Sequence, residues 1–335
     1  MASESPGVSE RLLCGLDIGG TKIGVAIGRE DGALLAATSF PTDAGAHPEQ
    51  LLAEALDRWR QLAVSLGGGD RPAAVGAACP GPVSTSLGRF LDPPNMPAWH
   101  GFPLMEWLAK RCAAPSAMMN DADASVLAEV NWGAARGARC AVFLTMSTGM
   151  GAGLYLGGDV YEGASSLAGE IGHIRLRDDG PVGFGKRGSV EGYLSGPGMV
   201  QVAQTEARGC IQTGEPSVLV ELFQADTLTP EALCAAAVAG DAASRRVIER
   251  CATELGRLLA LLVDLLNPEV IVLGTIGAAH PELFIPRARE VMMQEAIPHS
   301  ARIVRIEPSP LSQRGHLAAL AVALRAWERR DVSSG

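Results

Sequence analysis

Apolar positions fall at two spacings along this chain, and the two alternate. Residues 12–18 are a compact apolar run that reads as a strand. A glycine turn follows, and Ile23, Val25 and Ile27 mark a second strand. Asp31-Gly32 makes a hairpin turn into a third strand over 33–40. Leu51, Leu52, Ala55, Leu56, Trp59 and Leu62 then recur at helical spacing within 49–66, and Gly67-Gly68-Gly69 stops that helix. A short buried strand over 73–79 ends at Pro80-Gly81-Pro82. Another strand (116–119) leads into a helix over 121–135, and a further pair, 140–146 and 152–156, flanks a glycine-rich turn at 147–151. The clearest helix spans 241–266, where Val247, Ile248, Cys251, Leu255, Leu258, Leu259, Leu262 and Leu266 keep one face apolar. Pro268 ends it, the β-branched strand 270–273 follows, and a last helix covers about 313–329.

Alternating strands and helices imply α/β layers. The stretches 11–28 and 139–157 each read as apolar strand, glycine turn and second strand, a weak echo that points to an internal duplication. Composition narrows the picture without changing it. The 335 residues suffice for two domains and a large core, and 47% apolar with 19% charged residues is a globular balance. A net charge of −9 argues against an extended nucleic-acid surface. The start, Met1-Ala2-Ser3-Glu4-Ser5, carries no export signal, and the most apolar helical stretch, 258–266, is too short to span a bilayer. No membrane partner is expected, and residues 1–10 and 331–335 read as mobile ends. The seven cysteines are scattered and form no CxxC pair, which reads as reduced thiols in a cytoplasmic protein.

Chemistry concentrates in a few segments. In Asp17-Ile18-Gly19-Gly20-Thr21-Lys22 a strand runs into two glycines, so backbone N–H groups can close on an anion while Thr21 and Lys22 add a hydroxyl and a charge. Asp17, at the strand end, is placed to hold Mg²⁺ through water. The segment is neither a Walker A loop nor a dinucleotide fingerprint. A second turn, Ser147-Thr148-Gly149-Met150-Gly151, suits another phosphate contact. Asn120-Asp121 stands where a strand meets a helix, and Asp121 reads either as a helix cap or as a general base. Glu170 and His173 lie three apart in a glycine-rich loop and suit hydrogen bonds to sugar hydroxyls. Glu191 reads as an exposed helical acid, and Gly81 and Asn95 as turn residues.

In this order, DIGGTK, PGPV followed by PNMP, NDADA, STGMGAG and GEIGH resemble the ROK family of glucokinases, other hexose kinases, N-acetylmannosamine kinases and sugar-responsive repressors. The resemblance covers about residues 12–325. It implies an actin-like (ribonuclease H-like) duplicated fold: a small N-terminal α/β domain over 11–120 completed by helix 313–330, and a large one over 121–312, with ATP and sugar in the cleft between them. It implies Asp121 as catalytic base, with Gly81, Asn95, Asn120, Glu170, His173 and Glu191 lining the sugar. Asp17 with Gly19 to Lys22, and Thr148, Gly149 and Gly151, would hold phosphates, and Gly274 and Gly277 would sit beside adenosine. A homodimer or homotetramer is implied as well. Many members follow the GEIGH histidine with a CxCGxxGC zinc knuckle. Here the thiolate positions are Val182, Phe184 and Ser189, so no structural zinc is expected, with packing and a buried Phe184 holding the loop instead.

The expected activity is transfer of the ATP γ-phosphate to the primary hydroxyl of a hexose, glucose first. N-acetylmannosamine and other hexoses remain open, as does polyphosphate as donor. The rivals are a repressor, for which no N-terminal helix-turn-helix fits before residue 11, and a sugar-binding protein without catalysis.

Overall fold

The computed structural model describes residues 11–43 and 45–330, so the polar ends read above as mobile lie outside the described residues. The chain divides into two compact units. The first holds the residues up to Arg136, Val160–Ala168, and those from Leu311 onward; the second holds Gly137–Asp159 and Gly169–Pro310.

In the first unit β1 (Leu13–Ile18), β2 (Lys22–Gly28), β3 (Leu34–Pro41) and β4 (Ala74–Cys79) precede a short ribbon, β5 (Val83–Ser84) with β6 (Arg89–Phe90), and then β7 (Ser116–Asn120). Its main sheet has the order β3-β2-β1-β4-β7. β1 pairs antiparallel with β2 and parallel with β4, and β4 runs parallel to β7. Successive strand residues face opposite sides. Cys14, Leu16 and Ile18 therefore join Val75, Ala77 and Cys79 in a core capped by Leu52, Leu56 and Trp59 of α1 (Pro48–Ser65). Gly15 and Gly76 face the other way, onto the C-terminal helix Arg314–Arg329. There the helix backbone comes so close that a methyl group on Gly76 would meet Ala323 N at 2.1 Å and Ala319 O at 2.4 Å.

Two further helices complete this unit, α2 (Leu104–Cys112) and α3 (Asp121–Trp132). Because α3 packs against the C-terminal helix, the first unit runs on to Arg136, past the boundary at 120 read from the sequence.

The second unit repeats the pattern. β8 (Ala141–Met146), β9 (Met150–Leu156) and β10 (Asp159–Val160) precede a small hairpin of β11 (Val182–Gly183) and β12 (Lys186–Arg187), then β13 (Val270–Leu273) and β14 (Arg305–Pro308). The sheet order is β10-β9-β8-β13-β14, again with an antiparallel glycine-turn pair at the centre and parallel strands beyond it. The echo between 11–28 and 139–157 is thus a repeated sheet topology. The helices are α4 (Val190–Leu194), α5 (Gly196–Thr213), α6 (Val218–Gln224), α7 (Pro230–Ala239), α8 (Ala242–Leu266), α9 (Thr275–Ala279), α10 (Pro281–Glu295) and α11 (Pro298–Ile303). Asp241 caps α8 through Ser244 N at 2.8 Å, and Asn267 closes it in the left-handed conformation.

Six of the seven cysteines are buried and all are free, as expected of small core residues. No helix among the described residues is long and apolar enough to cross a membrane.

Gly76→Val tests the helix–sheet approach. The added side chain meets helix backbone, which cannot swing aside, so a loss of about 3 kcal/mol is expected by denaturant titration. An unchanged midpoint would contradict this packing.

Candidate functional site

In the first unit the strands β1, β4 and β7 end side by side. The register sets Asp17 opposite Ala78 and Cys79 opposite Asn120, which brings Asp17 and Asp121 to the carboxyl ends of β1 and β7, the parallel strands on either side of β4. Ligands of open α/β sheets bind at such ends. The Cys79 thiol reports the arrangement: burial pushes it well up, and the charges of Asp121 and Asp17 both push it further.

The turn after β1 is tied down at both edges. Gly19 N donates to Lys22 O at 3.0 Å, Thr42 Oγ1 donates to Gly19 O at 2.6 Å, and Thr42 N donates to Thr21 O at 3.0 Å. Gly20, Thr21 and Lys22 remain exposed. A methyl group on Gly20 would lie 3.5 Å from the Asn95 Cβ, so Asn95 sits beside the turn. Gly81 lies in the loop after β4, before Pro82.

Asp17 shares the strand face of Gly15 and so points toward the C-terminal helix. Any side chain at Gly315 would overlap the Asp17 carboxylate, its Cβ falling 2.1 Å from Oδ2. His316 follows, with its Nδ1 buried and without a hydrogen-bond partner among the described residues. Burial raises the Asp17 carboxyl, against the opposing charges of His316 and Lys22. Burial also holds the His316 imidazole below its usual range, despite Asp17. Neither His316 nor Thr42 is signalled by the sequence, since each meets the turn only through folding.

The two readings of Asp121 separate at helix α3. Asn120 is the cap residue, its Oδ1 accepting from Ala122 N at 2.9 Å. Asp121 is the first helical residue, exposed, with Oδ1 accepting from the same N–H at 2.8 Å. The Asn120 amide keeps its NH₂ group as a donor.

In the second unit the turn between β8 and β9 is fixed by Ser147 N donating to Gly149 O at 3.0 Å and by Gly196 N donating to Ser147 O at 2.7 Å. Thr148 is exposed at its tip, and Gly151 pairs with Thr145. The loop carrying Glu170 and His173 lies on β9: Ala152 N donates to Gly169 O at 2.9 Å, and a methyl group on Gly172 would fall 2.3 Å from Met150 O. Only glycine permits that approach.

Glu191, read from the sequence as an exposed acid, is half-buried, because α4 packs it under this loop. Its Oε2 accepts from Met150 N at 3.2 Å. Burial raises its carboxyl, the Met150 N–H and His173 work the other way, and Glu170 adds to the rise. Glu170, His173, Glu191 and the second glycine turn therefore form one cluster. Gly274 and Gly277 are buried against Phe143 and Met146, where a side chain would clash, so close packing explains both.

The loop at the expected zinc knuckle does not fit a zinc ion. Val182, Phe184 and Ser189 offer it no thiolate. Phe184 is not buried, contrary to expectation. It is 61% exposed because it occupies the tip of the β11–β12 hairpin, with its ring stacked on His173.

Raised by burial, the Glu191 carboxyl keeps its proton to higher pH in the folded chain than in the unfolded one. Its charge therefore subtracts stability at neutral pH and ceases to do so below the ordinary carboxylate range, about pH 4. Glu191→Gln should melt above the wild type at pH 7–8, with the gap closing by about pH 4. Melting curves across that range check this, and a gap that widens on acidification would contradict it.

Comparison with known proteins identifies the family of the chain. The ROK family model matches residues 13–325. A glucokinase of Halalkalibacterium halodurans is 31% identical over 80% of this chain and 81% of its own. An N-acetylmannosamine kinase of Salmonella heidelberg is 30% identical over 85% and 89%. The Escherichia coli transcriptional repressor Mlc is 26% identical over 76% of this chain and 61% of its own. Among solved structures, a ROK family glucokinase of Streptomyces griseus in complex with glucose and AMPPNP superposes with a TM-score of 0.74, 27% identity and coverage of 94% and 99%. With the repeated sheets and the ordered motifs, these matches make the fold actin-like, and the chain belongs to the ROK family.

Proposed function

We propose that this protein is an ATP-dependent hexose kinase that phosphorylates the primary hydroxyl of its sugar, glucose being the first candidate. The observation that carries the reading is that Asp17 and Asp121 lie at the ends of β1 and β7, the two parallel strands on either side of β4, one beside a tied glycine turn and the other exposed in the first turn of a helix. Relatives named as glucokinases, and a neighbour holding glucose with an ATP analogue, support it.

In this reading Gly19 to Lys22 and Thr148 to Gly151 offer N–H groups, hydroxyls and one ammonium to the phosphates. The Asp121 carboxylate accepts the proton of the sugar hydroxyl as its oxygen attacks the γ-phosphorus. The bond from that phosphorus to ADP breaks, leaving hexose 6-phosphate, ADP and a proton. Asn120, Glu170, His173 and Glu191 orient the sugar hydroxyls, with Gly81 and Asn95 alongside, while Gly274 and Gly277 border the adenosine.

Asp17, a carboxylate at a strand end beside the glycine turn, would hold Mg²⁺ through water, since Mg²⁺ is commonly held by one or two carboxylates plus phosphates. Bound with the nucleotide, Mg²⁺ would neutralise charge on the β- and γ-phosphate oxygens.

The match to an N-acetylmannosamine kinase favours a second sugar, and the match to Mlc a regulator without turnover. ADP release over a panel of sugars, with ATP and polyphosphate as donors, separates all three. Asp121→Asn should lower kcat by about 10²–10⁴ with the fold intact. Turnover near the wild-type rate would end the assignment.

A further inference from the structure

The hairpin of β11 and β12 turns through Phe184 and Gly185, whose φ values are 47° and 68°. Two successive left-handed residues define a tight hairpin turn that favours Asn-Gly, Asp-Gly or Gly-Gly. A phenylalanine at the first of these positions is an outlier for a bulky side chain. Burial does not explain it, since the residue is 61% exposed. What its ring does meet is the His173 imidazole, with centroids 4.5 Å apart and planes inclined by 27°.

The hairpin stands without that ring. Gln201 brackets Val182, accepting from its N–H and donating to its carbonyl, both at 2.9 Å. The buried Ser189 hydroxyl accepts from Gly192 N at 3.1 Å, and Gly188 N donates to Pro181 O at 2.9 Å. Lys186 Nζ donates to the His173 carbonyl at 2.6 Å, which anchors the histidine backbone and leaves its ring to be fixed by something else. Offset aromatic stacking supplies such a constraint.

We propose that Phe184 is a positioning residue that sets the plane of the His173 imidazole toward the sugar, stacking doing here what metal coordination cannot. The inference rests on the reading of His173 as a sugar-binding group. Phe184 acts through His173, so its effect falls on sugar affinity.

Phe184→Gly is the informative variant because glycine suits the left-handed turn better than phenylalanine. It should melt at or above the wild-type temperature while KM for the sugar rises about three- to tenfold, the range expected for loss of one aromatic stack. Phe184→Tyr should restore KM. The His173 ring-proton NMR shifts, read on the intact protein without ATP or sugar, should move in Phe184→Gly and return in Phe184→Tyr. An unchanged KM overturns the proposal, as do a KM rise accompanied by a fall in melting temperature and ring shifts that stay in place. If the wild type turns over no sugar, the kinase reading falls while the ring shifts still decide the stack.

Discussion

The C-terminal helix lies so close to the first sheet that only glycine fits at Gly76, and a side chain at Gly15 would be tightly crowded. Helix backbone stands 2.1 Å from where a Gly76 Cβ would be. The contact is made by small residues on both sides, with Ala319 and Ala323 on the helix, so packing density replaces side-chain bulk. Asp17 inherits its setting from this approach. It follows Gly15 on the same face of β1, and the helix delivers Gly315 and His316 against its carboxylate. The carboxyl is raised because the helix takes water away from it, and burial lowers the imidazole beside it for the same reason.

The second unit solves a similar problem with a loop. Gly172 lets the segment bearing Glu170 and His173 lie against β9, and α4 then brings Glu191 under it to meet the amide of Met150. One carboxylate thereby touches the glycine turn and feels both Glu170 and His173. Electrostatic cost is concentrated there, as is common where chemistry is done. The departure at the knuckle fits the same logic: backbone hydrogen bonds, Ser189 and Gln201 hold the hairpin, and a strained phenylalanine covers the histidine.

Much of the fold was legible in the sequence. The first three strands, the helices ending at Gly67 and Asn267, and both glycine turns lie where spacing and breakers placed them. The segment from 196 to 239 was not read, although it holds α5, α6 and α7. α5 opens on Gly196-Pro197-Gly198, which mimics a loop, and α7 is alanine-rich with no polar face to give it a period. The turn residues and Asp121 were singled out because the chemistry they suggest is local. Asp121 was read as a helix cap or a general base; Asn120 takes the cap position and Asp121 shares the same N–H, a distinction that depends on one residue of helix phase.

The sequence by itself determined which groups this protein can bring to bear: two glycine turns with hydroxyls and a lysine, a strand-end carboxylate, a helix-start carboxylate, and a loop with Glu and His but no thiolates beyond it. Each is a property of neighbours along the chain. Tertiary structure alone decided which of these groups meet. It set His316 beside Asp17 across some three hundred residues, turned Glu191 from a surface acid into a partner of Met150, and exposed Phe184 so that it could lie on His173. Those outcomes depend on which face of a strand meets which helix and on how closely backbones approach. Local propensity carries no record of either, because both are set by packing between segments far apart in sequence.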